Sequence, residues 1–289
     1  MVESVKKIGV VGAGTMGAGM AQAFAAAGFP VVLRDIAQGP LDRGMGAIKK
    51  SLERLAARGK LAPADRDAAL MRIAPTVKME NLADCDVVVE AVVERFDLKK
   101  TVIGELDNIC RADAILATNT SSISVTRIAS TSKVPGRVIG MHFFNPVPMM
   151  QLVEVIRALQ TTDETCNKIV LLTEAIGKKA RVVSKDSYGF VVNRVLIPMI
   201  NEAINCVHEG LASPEDVDQM MKLGANHPMG PLSLADLIGL DIVLNIMESL
   251  YTGFEDSKYR PSPLLKQMCD AGYLGRKAGK GFFAYEAAA

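Results

Sequence analysis

Short, nearly unbroken apolar runs alternate with longer amphipathic stretches up to about residue 185. The runs predict strands at 8–11, 31–34, 87–90, 115–118, 138–141, 153–156 and 181–183, each bounded by turn-forming residues. Apolar residues at helical spacing predict helices at 15–27, 41–58, 98–110 and 164–176. Strands apolar on both faces belong to a mostly parallel sheet covered by helices on each side, a doubly wound α/β fold.

The pattern changes after Lys185-Asp186-Ser187-Tyr188-Gly189. Residues 190–208 read as one apolar helix that Pro198 should kink. Ser213-Pro214-Glu215-Asp216 is a helix start: serine caps, proline suits the first turn, and the acids face the positive dipole end. Further helices are expected at 233–238, 241–251 and 263–271. The reading is therefore two domains, 1–187 with the sheet and 188–289 all helical, with 287–289 as a frayed end.

Composition narrows the partners. Of 289 residues, 49% are hydrophobic and 22% charged, enough apolar chain for two buried cores. A net charge of +1 without a long basic run argues against nucleic acid or an anionic membrane as partner. No apolar stretch approaches the roughly 18 residues of a membrane span. The five cysteines lack metal-ligand or CxxC spacing, which suits free thiols in a reducing compartment and predicts no metal. The chain enters its first strand almost at once, so the expectation is a cytoplasmic protein without a leader.

Candidate chemistry gathers at the expected strand ends. Gly12-Ala13-Gly14-Thr15-Met16-Gly17 follows the first strand and opens a helix. Gly12 allows the tight turn, Gly14 lets backbone approach a pyrophosphate, and Gly17 allows close helix–strand packing. The helix N-terminus then offers N–H groups to phosphates. Asp35, eighteen residues beyond Gly17, lies where a carboxylate accepts ribose hydroxyls and repels a 2′-phosphate, favouring NAD over NADP. Arg34 beside it pulls the other way.

Glu94 and Lys99 follow the 87–90 strand, either reaching the ribose and phosphates or forming a solvated pair at a helix start. Thr118-Asn119-Thr120-Ser121-Ser122 follows the 115–118 strand, where hydroxyls either cap a helix or donate to a substrate carbonyl. His142 opens a proline-punctuated loop after the 138–141 strand, and Glu154 interrupts the next apolar run. A buried carboxylate needs a partner, and an imidazole so held is an oriented general base. The alternative is a core histidine beside an unrelated glutamate. Asn193, early in an apolar helix, is either a substrate contact or a structural hydrogen bond.

Together the segments GAGTMGAGMA, VVVEAVVE, NTSS, HFFNPVPMMQLVEV, GFVVNR, HPMGP and LGRKAGKGFFAY resemble the 3-hydroxyacyl-CoA dehydrogenase family over essentially the whole chain. The HFFNPVP segment is far more specific than the glycine loop. The short length is like that of the stand-alone bacterial members. The resemblance implies an N-terminal Rossmann domain and a helical, dimerising C-terminal domain. It also implies an NAD enzyme that interconverts 3-hydroxybutyryl-CoA and acetoacetyl-CoA as a cytoplasmic homodimer. By the same resemblance His142 is the catalytic base, Glu154 its orienting partner, and Ser121 and Asn193 hold the reacting oxygen and the thioester end. Asp35, Glu94, Lys99, Ser121, Asn145 and Lys277 join the glycine loop as cofactor contacts. Ser51 and a basic residue, Arg58 or its competitor Lys60, would hold CoA, with Asn145 also near the substrate. Two rivals stand beside this: a related dehydrogenase of free hydroxyacids, and a non-catalytic NAD-binding protein.

Overall fold

The computed structural model describes residues 5–286, so the end expected to fray at 287–289 lies outside the described residues. The chain divides into two compact units, Met1–Ser187 and Tyr188–Ala289.

In the first unit the strands are β1 (Ile8–Val11), β2 (Val31–Arg34), β3 (Ile73–Thr76), β4 (Val87–Glu90), β5 (Ile115–Thr118), β6 (Val138–Phe143), β7 (Leu152–Arg157) and β8 (Lys179–Val183). They form one sheet in the order β3-β2-β1-β4-β5-β6-β7-β8. All pairs are parallel except β6–β7. The expected mostly parallel, doubly wound sheet is thus present, and the reversal from β2 to β4 beside β1 makes the ligand crevice of such folds. The helices are α1 (Thr15–Ala26), α2 (Gln38–Ala57), α3 (Pro63–Met71), α4 (Phe96–Ile109), α5 (Val125–Ala129) and α6 (Asp163–Ala175). Val10, Leu33, Val89, Phe24, Met141 and Ile169 are wholly buried in its main core.

Of these strands and α-helices, three were not foreseen. Strand β3 reads Ile-Ala-Pro-Thr, and a proline is tolerated there because β3 is the sheet edge. Helices α3 and α5, of nine and five residues, are shorter than the window of about 11 residues over which an apolar period is read. One boundary matters chemically. Strand β6 runs two residues beyond the expected 141, so His142 lies in a strand rather than opening the loop.

The second unit holds α7 (Val192–His208), α8 (Pro214–Gly224), α9 (Pro231–Ile238), α10 (Leu240–Phe254) and α11 (Pro263–Asp270), and no strand among its described residues. Helix α7 begins at Val192 rather than 190 because Gly189 and Phe190 both have positive φ, +69° and +50°. Ser213 caps α8 by accepting the Asp216 N–H, and Asp218 accepts the Leu232 and Ser233 N–H groups at the start of α9. Ile200, Ile204, Leu232, Leu240, Val243 and Met247 form this unit's own core. Among the described residues no helix is long and apolar enough to cross a membrane.

Candidate active site

The glycine loop connects β1 to α1. Gly12 has φ +103°, and a Cβ there would meet the Ala91 carbonyl oxygen at 2.6 Å. A Cβ on Gly17 would lie 1.7 Å from the Gly12 carbonyl oxygen, so the helix can start this close to the turn only with glycine. Around Gly14 the added atom meets nothing within 4 Å. Gly14 is also the α1 N-cap without a side-chain cap, and no acid occupies the first turn. The positive end of α1 therefore faces an open, uncapped concavity, which fits a pyrophosphate. Asp35, one residue past β2, accepts the Ala13 N–H (2.7 Å) and the Ile36 N–H (2.7 Å), placing its carboxylate at the rim of the same loop. The residues present fit a dinucleotide.

Beside the loop lies a cleft of about 410 Å³ between α1, α2 and the segment after β6. Asn145, Pro146 and Pro148 line one wall; Arg43, Ser51 and Arg54 line the other. Arg43, Ala47, Ser51 and Arg54 recur every three to four residues, so α2 presents them on one stripe. Arg58, the α2 C-cap, and Lys60 just beyond are exposed and do not line this cleft. Arg43 and Arg54 are the guanidiniums that do, and the helical stripe was the signal that could have identified them.

Strands β6 and β7 pair antiparallel with His142 directly opposite Glu154. Side chains so placed have Cβ atoms about 5 Å apart on one face of the sheet. Both are buried, and His142 Nδ1 lies 2.9 Å from Glu154 Oε2. An ionised carboxylate can only accept, so with Glu154 in that form Nδ1 is the donor of that bond. Phe144 packs beside the imidazole with ring centroids 4.6 Å apart.

A second polar cluster joins β4, β5 and α4. Glu90 and Lys99 are wholly buried as an ion pair at 2.8 Å, and Thr118 donates to Glu90 at 2.7 Å. Lys99 also reaches Glu94 at 3.2 Å. The Lys99 ammonium is thus engaged by two carboxylates, and Glu90 is a partner that sequence reasoning passed over. Glu94 Oε1 accepts from Thr120 Oγ1 (2.5 Å), Ser121 N (2.9 Å), Ser122 N (3.0 Å) and Ser122 Oγ (3.0 Å). Partial burial opposes ionisation of Glu94, but Lys99 and these donors outweigh it and hold the carboxyl below its ordinary range. The cap of α5 is Ser124, just beyond the 118–122 run of hydroxyls. The Ser121 hydroxyl enters no hydrogen bond among the described residues. Asn119 Oδ1 accepts the Phe143 N–H at 2.8 Å, tying this loop to the residue after His142.

In the second unit Asn193 is buried in the first turn of α7, and Lys277 forms a close ion pair with Asp241 on α10.

Residues 7–187 match the family model of the 3-hydroxyacyl-CoA dehydrogenase NAD binding domain, and residues 189–285 match that of its C-terminal domain. The chain belongs to the 3-hydroxyacyl-CoA dehydrogenase family. It is an NAD-dependent oxidoreductase acting on the CH–OH group of a 3-hydroxyacyl-CoA. A probable 3-hydroxybutyryl-CoA dehydrogenase of Deinococcus radiodurans is 54% identical over 279 residues, which span 96% of this chain and 100% of that one. A 3-hydroxybutyryl-CoA dehydrogenase of Clostridioides difficile is 51% identical, over 96% of this chain and 99% of its own. The crystal structure of (S)-3-hydroxybutyryl-CoA dehydrogenase from Ralstonia eutropha superposes with a TM-score of 0.95 at 50% identity, covering 98% of this chain and 100% of that one. In this 3-hydroxyacyl-CoA dehydrogenase, the glycine loop and Asp35 are the features that fit NAD. His142 stands on β6, three strands from β1 in the sheet order, and Glu154 on the next strand, β7.

Proposed function

We propose that the protein is an (S)-3-hydroxybutyryl-CoA dehydrogenase, interconverting 3-hydroxybutyryl-CoA and acetoacetyl-CoA. The observation that carries the mechanism is the buried cross-strand pair of His142 and Glu154. NAD, when bound, supplies the hydride acceptor. The glycine loop from Gly12 to Gly17 would hold its pyrophosphate and Asp35 its ribose, with Glu94, Lys99, Asn145 and Lys277 as further contacts. In the contacts observed, Lys99 would act through Glu94.

With Nδ1–H committed to Glu154, His142 Nε2 is the nitrogen that takes the 3-hydroxyl proton during oxidation. Glu154 fixes the tautomer and the ring plane, and its charge stabilises the imidazolium that forms. Ser121, its backbone held by Glu94 and its hydroxyl uncommitted, donates to the substrate oxygen as charge develops there. Asn193 would contact the acyl thioester. In reduction, protonated His142 returns the proton to the forming alkoxide. Ser51 would hold CoA, with Arg43 and Arg54 on the same helix stripe as phosphate partners beside the expected Arg58.

The five free cysteines suit a reducing, cytoplasmic setting, and exposed Val195, Met220 and Leu223 in the second unit suit a homodimer. The test is initial-rate kinetics with acetoacetyl-CoA, longer 3-oxoacyl-CoAs and free acetoacetate, each with NADH and with NADPH. The reading predicts the highest kcat/KM for acetoacetyl-CoA with NADH. Preference for the free acid would overturn it.

A further inference from the structure

Lys178 is buried, and nothing in the chemistry above uses it. Gly177, with φ +74°, ends α6, and Lys179 N–H then bonds the Gln151 carbonyl at the start of β8. Between these points the Lys178 ammonium donates to the carbonyl oxygens of Val147 (2.6 Å) and Met150 (2.7 Å). Among the described residues it forms no ion pair, and burial lowers its proton affinity. A buried ammonium without a counter-ion is costly, and it persists only where other strong bonds hold it. Lys99, the other buried lysine of this unit, by contrast has two carboxylates.

The two carbonyls belong to the strap 144–151 that joins β6 to β7. That strap is short of internal bonds. Pro146 and Pro148 bring no N–H, and the N–H groups of Met149 and Met150 both turn onto the Pro146 carbonyl. The strap's entry is fixed by Asn119 on the Phe143 N–H. Its middle presses on α1, where a Cβ added to Gly19 would lie 2.8 Å from the Val147 Cβ. Asn145, Pro146 and Pro148 of the same strap line the cleft, and His142 lies just before it.

We propose that Lys178 is a positioning residue, whose ammonium clamps the 144–151 strap against α1 and so sets the width of the cleft between the glycine loop, α2 and the strap. The role in turnover rests on the dehydrogenase reading above; the clamp itself does not. Replacing Lys178 by methionine keeps the length and apolar stem but removes both bonds.

The test compares full-length wild type, Lys178→Met and Lys178→Gln by amide hydrogen exchange, NADH titration, and steady-state kinetics with acetoacetyl-CoA. In Lys178→Met, exchange within 144–151 accelerates by about tenfold, while β1 and β4 exchange as in wild type. The Kd for NADH and the KM for acetoacetyl-CoA rise about tenfold, a larger change than any fall in kcat. Lys178→Gln, which keeps a neutral amide donor group, lies between, and it carries the same comparison should the methionine variant fail to fold. Uniformly faster exchange with unchanged Kd and KM would mean a merely structural lysine and overturn the clamp. Should wild type fail to reduce acetoacetyl-CoA, the dehydrogenase reading fails, and the exchange and NADH titration still decide whether Lys178 clamps the strap.

Discussion

An imidazole and a carboxylate placed opposite each other on antiparallel strands are held by backbone register as much as by their own bond. The angle of the His142 ring therefore depends on Glu154 accepting from Nδ1. Glu154→Gln keeps the shape but presents an amide that stabilises neither the imidazolium nor a single tautomer. Its turnover should fall by about 10²–10⁴-fold with KM little changed, measured as steady-state NADH oxidation. Unchanged turnover would mean that the pair is structural. Glu94 gives a pH prediction with a definite sign. Its carboxyl is held below the ordinary 4.5, so its ionised form stabilises the fold above that value, and this contribution is lost as pH falls further through the lowered native value. Thermal melts of Glu94→Gln should converge with wild type in that acid window and fall below it near neutrality. A gap that widens toward acid would contradict the assignment.

At the scale of elements, the turn from β1 into α1 separates two uses of glycine. Gly17 is required by the backbone itself, whereas Gly14 borders open space. Gly14→Ala should melt near wild type yet weaken NADH binding by at least about tenfold, roughly 1.4 kcal/mol, since its methyl fills the cradle. Gly17→Ala should lose both stability and binding; calorimetry beside fluorescence titration separates the two cases. The strands that build this region were legible because each is an apolar run buried on both faces. Strand β3 was not, with exposed Ala74 and Pro75 breaking the run. His142 and Glu154 were legible as polar interruptions of apolar strands. Their direct opposition was not, because register across 144–151 depends on a strap held partly from outside, by Lys178 on its carbonyls and by Asn119 on Phe143 just before it.

Over the whole molecule, the division at Ser187–Tyr188 separates a sheet-based core from a helical one, and the sequence pattern changes at the same place. The second unit leaves Val195, Leu211, Met220 and Leu223 more than half exposed. A homodimer follows if these side chains are covered by a second copy, and sedimentation equilibrium should then return twice the 30.9 kDa chain mass. A monomer at micromolar concentration would contradict that assembly. The glycine loop alone could not separate this family from other dinucleotide-binding proteins; the HFFNPVP segment could, because it carries His142, the proposed base, and the cleft wall together. The central claim is that His142 carries the proton while NAD carries the hydride. The most direct measurement is turnover of acetoacetyl-CoA by His142→Ala, alongside a titration of the same protein with NADH. Loss of at least about 10²-fold in kcat with wild-type NADH affinity is the predicted result. Turnover near that of wild type would contradict it.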